Sequence, residues 1–266
     1  MSRQRVGSRH GPVAQLLIAW SPLSVILVTY AVAQWVNAPL SHGTDGTGRP
    51  DANDTNLLGF GLHVTGPAAA DQAVFGVVPS VWLQQRLVDG APHWYDAIAS
   101  LIYVTHFVSL PIATAVVWFA LRHRFTAWIV AVLTLTTLGV VGYLVYPAAP
   151  PWLAADRGVI GAVDRISNLG WQFLGLDRVG GLTASSQAGS NPVAAMPSLH
   201  AGTALLMALF FWPVVGPLWR LVLLGYALLM ALTLVYTGEH YVVDVLMGWV
   251  TAGIAVLVAA RARPGR

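Results

Sequence analysis

Apolar residues fall along this chain in six blocks, at residues 13–36, 97–121, 125–146, 199–212, 218–236 and 241–260, with polar and proline-rich stretches between them. A helix needs about 20 apolar residues to cross the hydrocarbon core of a bilayer. Each block is near that length, the fourth being the shortest. The pattern predicts an all-α membrane protein: six transmembrane helices in one bundle, with no repeat and no second soluble domain. Residues 1–12 read as a cytoplasmic N-terminal segment and 13–262 as the membrane domain, with long outer loops at 37–96 and 147–197.

The loops differ from one another. Residues 41–56 are rich in Gly, Asp and Thr and read as irregular. Residues 71–88 are apolar and aromatic, with Pro79 arguing against one straight helix. They read as interfacial helices on the outer leaflet, or as a loop covering the bundle. The run Pro147-Ala148-Ala149-Pro150-Pro151-Trp152 is expected to exclude helix and to end the third span abruptly.

Composition agrees with the pattern. The chain is 56% hydrophobic and 9% charged, with a mean hydropathy of +0.65. Soluble domains are roughly 25% charged, so a soluble protein is excluded. All fourteen basic residues are Arg. They are scattered rather than gathered in a stripe, so the pI of about 9.5 is no sign of a nucleic-acid partner. Their placement fixes an orientation instead. With both termini in the cytoplasm, nine Arg (3, 5, 9, 122, 124, 220, 261, 263 and 266) lie inside, and five Arg and all eleven acidic residues lie outside. That asymmetry follows the positive-inside rule. Arg3, Arg5 and Arg9 before the first block read as the flank of a retained anchor rather than of a signal peptide. The absence of Cys excludes disulfides, a thiolate nucleophile and Cys-ligated metal.

Two clusters carry candidate chemistry. In Asn191-Pro192-Val193-Ala194-Ala195-Met196-Pro197-Ser198-Leu199-His200-Ala201-Gly202, Pro197 and Ser198 suit a helix start. His200 then lies in the first turn, beside N–H groups that favour an anion such as phosphate. In Tyr236-Thr237-Gly238-Glu239-His240-Tyr241-Val242-Val243-Asp244, His240 and Asp244 are four apart and on a helix would share a face. A carboxylate there fixes the proton on one ring nitrogen and leaves the other free to attack. The fourth and sixth blocks both start at the outer face, so the two clusters share a membrane depth. Other readings of two histidines exist. A bis-histidine haem site is disfavoured by the helix-start position of His200 and the carboxylate beside His240. An ion pathway is disfavoured because the groups gather at one face rather than the midplane.

At these residues the chain resembles the type-2 phosphatidic acid phosphatase superfamily, over roughly residues 97–260. Within it, Pro150-Pro151-Trp152 and Ala195-Met196-Pro197-Ser198-Leu199-His200 are similar to the inositol phosphorylceramide synthase branch. The resemblance implies six spans and a metal-independent site. It implies that His240 is a nucleophile forming a phosphohistidine, that Asp244 orients it, and that His200 protonates the leaving oxygen and then activates the acceptor. Phosphatase members carry Lys and Arg just after the third span and an Arg six residues before the nucleophile. Here those places hold Pro147–Trp152 and Leu234, and there is no Lys. The departures favour the synthase branch. Cationic partners for the phosphate are then sought among Arg157, Arg165 and Arg178; Ser198, Leu199, Gly238 and Tyr241, which flank the two histidines, complete the candidate binding set.

The expected function is transfer of a phosphate-containing headgroup, of inositol-phosphate type, from a membrane lipid to a lipid or sugar hydroxyl. The alternative is a lipid phosphate phosphatase that uses water. No cofactor and no obligate protein partner are expected, and the site would face the extracytoplasmic side of a bacterial plasma membrane. His106, in the middle of the second block, reads as a hydrogen-bonded packing residue sooner than as an acceptor contact. Glu239 reads as solvated, His42, His63 and His93 as loop residues, and Gly139 and Gly142 as points of close helix approach.

Overall fold

The computed structural model describes residues 11–42 and 55–262. In chain order its helices are α1 (Pro12–Val36), α2 (Ala38–His42), α3 (Thr65–Phe75), α4 (Pro79–Leu87), α5 (Trp94–Ala120), α6 (Phe125–Val145), α7 (Pro151–Asp156), α8 (Gly170–Phe173), α9 (Asp177–Ala188), α10 (Leu199–Phe211), α11 (Pro217–Tyr236) and α12 (Val242–Arg261). Each apolar block becomes a helix. Five of them, α1, α5, α6, α11 and α12, are long and apolar enough to cross a membrane. Their outward faces expose large apolar side chains, such as Leu27, Phe119, Leu218 and Leu257. Such surface is stable against lipid and unfavourable against water.

α10 departs from the expected full span. Its 13 residues extend about 20 Å, short of a hydrocarbon core of about 30 Å. The chain enters it through the non-helical run to Pro197 and leaves it at Trp212. It is nonetheless the centre of the bundle, packed on α6, α11 and α12. Glycines make this possible. A Cβ on Gly248 of α12 would lie 2.2 Å from the Ser198 carbonyl, and one on Gly202 of α10 would lie 2.9 Å from the Gly248 carbonyl. On α6, a Cβ on Gly139 would fall 2.5 Å from Leu199 and one on Gly142 would fall 2.4 Å from Pro197. The start of α10 is thus seated between the backbones of two helices, as expected for Gly139 and Gly142. Below it, Trp128, Leu135, Leu206 and Phe210 form the main apolar core.

The segments at the other end are more structured than the sequence predicts. α3 and α4 are separated at Gly76–Val78, with Gly76 at a φ of +71° and Pro79 opening α4. They pack on α12 and α11, so they cover the bundle. The proline run does not exclude helix throughout: Pro151 starts α7, because a first-turn proline lacks only an N–H that would have no intrahelical partner. α8 closes on α5, where a Cβ on Gly170 would sit 2.1 Å from the Asp96 carbonyl. Arg3, Arg5, Arg9, Arg49, Arg263 and Arg266 and most of the irregular 41–56 stretch lie outside the described residues. Arg122, Arg124 and Arg220 lie together at the end where α5 and α10 finish and α6 and α11 begin. There Arg124 stacks on Phe210, and the Arg220 side chain donates to the Trp212 carbonyl at 3.0 Å.

Candidate active site

The two clusters meet where α10 and α12 start. Ser198 caps α10: its hydroxyl accepts from the Ala201 N–H at 3.3 Å. Its own N–H donates to the Asp244 carbonyl at 3.0 Å, which ties the two helix starts together. His200 follows in the first turn. On the other side, Gly238 breaks away from α11 with a φ of +74°, and a Cβ there would meet the Asp164 carbonyl at 2.8 Å. His240 sits on this turn, before α12 begins. The expected helical face shared by His240 and Asp244 is therefore corrected: only Asp244, at the third position of α12, is helical. The spacing still brings them together. His240 Nδ1 lies 3.6 Å from Asp244 Oδ2. That is ion-pair range and longer than a hydrogen bond, a kind of contact that often tightens only with substrate bound. The same Oδ2 accepts the Tyr241 N–H at 2.9 Å.

A second carboxylate, not anticipated from the sequence, supports this turn. Asp71 of α3 accepts from the Val242 N–H at 2.9 Å and the Val243 N–H at 3.0 Å. Burial pushes its carboxyl above the ordinary range, while the two N–H groups favour its charged form. Asp71 thus uses the open N–H groups of α12 and anchors the segment that carries His240.

The His200 and His240 rings face each other with centroids 5.9 Å apart. His106 of α5 extends the row, with its ring 3.9 Å from that of His200. Tyr103 stacks on His200 at 5.2 Å. The Nδ1 of His106 is buried and has no hydrogen-bond partner among the described residues, so at that nitrogen the expected hydrogen bond is missing. All three histidines line a cavity of about 410 Å³. One wall is apolar, with Ile26 and Leu27 of α1 and Phe107 of α5. Another part of the lining is polar, with Arg165, Gln187, Asn191 and Glu239.

Glu239 organises the polar wall. It is 7% exposed, not solvated as the sequence suggested. Its Oε1 accepts from Arg165 Nε at 2.9 Å, Ser167 Oγ at 2.6 Å and Gln187 Nε2 at 3.1 Å. Burial works against the Arg165 charge, but the Glu239 carboxylate outweighs it and holds the guanidinium pKa above its ordinary value. Arg165 is therefore a fixed cation, and of the three arginines proposed for phosphate it alone lines the cavity. Arg157 and Arg178 do not. Leu199 lines the cavity; Ser198 serves as the α10 cap, Gly238 as the turn, and Tyr241 packs into an apolar cluster with Ala68, Val81 and Val163. Among the described residues, no group of three or more His, Cys, Asp or Glu is arranged to hold a metal ion.

Comparison with known proteins gives a consistent picture. The family described as the PAP2 superfamily matches residues 68–258. A phosphoinositol dihydroceramide synthase of Bacteroides thetaiotaomicron is 27% identical over 201 residues, covering 70% of this chain and 64% of that protein. The inositol phosphorylceramide synthase catalytic subunit of Schizosaccharomyces pombe is 33% identical over 128 residues, 47% of this chain and 30% of that one. The corresponding Saccharomyces cerevisiae subunit is 32% identical over 116 residues, 41% and 28% of the two chains. The match thus spans less than two thirds of each relative's length. No solved structure matches significantly.

Proposed function

The chain belongs to the PAP2 superfamily, and on that premise we propose that it is an integral-membrane phosphotransferase that moves a phosphorylated headgroup from one lipid to the hydroxyl of another through a phosphohistidine. The observation that carries this reading is the pair of facing rings, His200 and His240, on one cavity, with Asp244 behind the second and a fixed arginine beside them.

The chemistry runs in two steps. With the Nδ1 of His240 turned to Asp244, its proton is held there and the Nε2 lone pair is free to attack phosphorus. A P–N bond forms, the P–O bond to the donor's glycerol breaks, and the leaving oxygen takes a proton from His200. In the second step the acceptor hydroxyl gives its proton to His200 and its oxygen attacks phosphorus. The P–N pair returns to His240. Arg165 offsets the charge on the phosphoryl oxygens as the transition state forms. A phosphodiester donor brings less charge than a phosphomonoester, which accords with Arg165 as the one arginine among the described residues that line the cavity, and with no Lys in the chain. The names of the relatives point to an inositol-phosphate headgroup and a ceramide-type acceptor.

The same reading includes the topology. Six crossings, with α10 and its non-helical lead-in making the fourth, put both termini inside and the site outside, in a bacterial plasma membrane. The cluster of Arg122, Arg124 and Arg220 at the end opposite the histidines supports that orientation. α3, α4 and α9 then lie at the outer interface. The gap between α1 and α5, lined by Ile26, Leu27 and Phe107, is the side entrance for lipid chains.

The test is incubation of the purified protein in detergent with phosphatidylinositol, with and without ceramide, followed by mass spectrometry. The expected products are inositol phosphorylceramide and diacylglycerol. Release of inositol phosphate alone, unaffected by ceramide, would identify a hydrolase instead. No product with either would discard the reading.

A further inference from the structure

We infer that Glu239, with Asn191, reads the hydroxyls of the donor headgroup, so that the polar wall of the cavity is a polyol subsite; this rests on the phosphotransferase reading above. All three hydrogen bonds to Glu239 fall on Oε1. Its Oε2 has no hydrogen-bond partner among the described residues and is not one of their sealed, unsatisfied polar atoms. With the side chain on the cavity lining, that oxygen is an acceptor open to whatever occupies the site. The three donors on Oε1 hold the carboxylate in one orientation.

Asn191 supplies the complementary group. Its Oδ1 accepts from the Val193 N–H at 3.2 Å, while its Nδ2 is buried without a partner. The residue is 6% exposed and lines the same cavity. The wall therefore offers one open acceptor, and one unused donor that is sealed and reaches a hydroxyl by a turn of the Asn191 amide. A hydroxyl is both donor and acceptor and can satisfy either group, whereas an ammonium is donor only. Charge makes the same distinction. Glu239 is already neutralised by Arg165, 2.9 Å away, so a cationic headgroup would gain little from the carboxylate and would meet the guanidinium. Glu239 immediately precedes His240, which places the hydroxyls on the ring atoms next to the ester phosphate. Arg165, held through Nε by Glu239 and close to the Tyr103 hydroxyl, presents its guanidinium to the phosphoryl oxygens from the cavity lining.

The test compares two phosphodiester donors, phosphatidylinositol and phosphatidylethanolamine, with ceramide as acceptor, in the wild type and in Glu239→Gln and Asn191→Ala. Glutamine keeps the shape and the Oε1 acceptor and replaces Oε2 with a donor. The expected result is a wild-type preference for phosphatidylinositol in kcat/KM. Glu239→Gln should cut that preference about 10- to 100-fold, the factor that goes with a hydrogen bond to a charged group; the loss that comes from a less firmly held Arg165 falls on both donors alike, so the readout is the ratio of the two kcat/KM values. Asn191→Ala should cut it less, in the same direction, and decides the matter if Glu239→Gln does not fold. Equal losses on both donors would overturn the inference while leaving the phosphotransferase reading intact. A wild type that transfers from neither donor would overturn both.

Discussion

His200 is carried by the first turn of a buried helix, whereas His240 sits on a turn between two helices, and different interactions hold them. The His200 side is set by backbone against backbone. Gly202 and Gly248 let α10 and α12 touch, Gly139 and Gly142 admit Leu199 and Pro197, and Ser198 caps the helix. The His240 side is set by carboxylates. Asp244 and Asp71 take the N–H groups of Tyr241, Val242 and Val243, and Asp244 also stands behind the ring. Damage to the first support should appear chiefly as lost stability. Damage to the second should appear chiefly as lost rate.

The largest effect is expected from removing the nucleophile. His240→Ala should lower phosphoryl transfer on the order of 10³-fold or more, read as product lipid by mass spectrometry. Turnover within tenfold of wild type would put the nucleophile elsewhere. Asp244→Asn should lower kcat by about 10²-fold or more, with KM little changed; an acid-labile protein adduct forming at the normal rate in this variant would break the link between carboxylate and ring. Gly248→Ala tests the other support. Its methyl would fall 2.2 Å from the Ser198 carbonyl, and the strain should destabilise the fold by about 1–3 kcal/mol. The readout is the midpoint of thermal unfolding in detergent, and an unmoved midpoint would mean that the crossing is not tight. Asp71→Asn keeps one acceptor oxygen and loses the other. It should reduce kcat about tenfold through a shifted His240 while the midpoint falls little; a large drop in midpoint at normal kcat would erase the contrast between the two supports.

The helices of the bundle and the meeting of the two histidines were legible because both rest on local patterns. A block of apolar residues determines its own helix, and two such helices separated by one other run in the same direction, so their starts share an end of the bundle. Residues 97–121 were expected and Trp94–Ala120 is found. What the sequence hid depends on partners far along the chain. Glu239 looks like any loop glutamate until Arg165, Ser167 and Gln187 fold against it. Asp71 gave a faint signal, a lone carboxylate in an apolar stretch, but nothing nearby says that its partners lie in α12. The position of His240 was misjudged for a related reason. The i+4 spacing suggested a helix, and only the close approach of Asp164 and Val163 to Gly238 shows why the chain must turn there first.

The shortness of α10 bears on which alcohol wins. If its inner end lies level with the other helices, its first turn stops about 10 Å beneath the opposite edge of the hydrocarbon layer. A headgroup that normally rides at the water's edge would have to sink to reach the reacting rings. There it would meet neighbours dissolved in the same oil sooner than solvent, and burial alone would steer the enzyme from hydrolysis toward exchange between lipids.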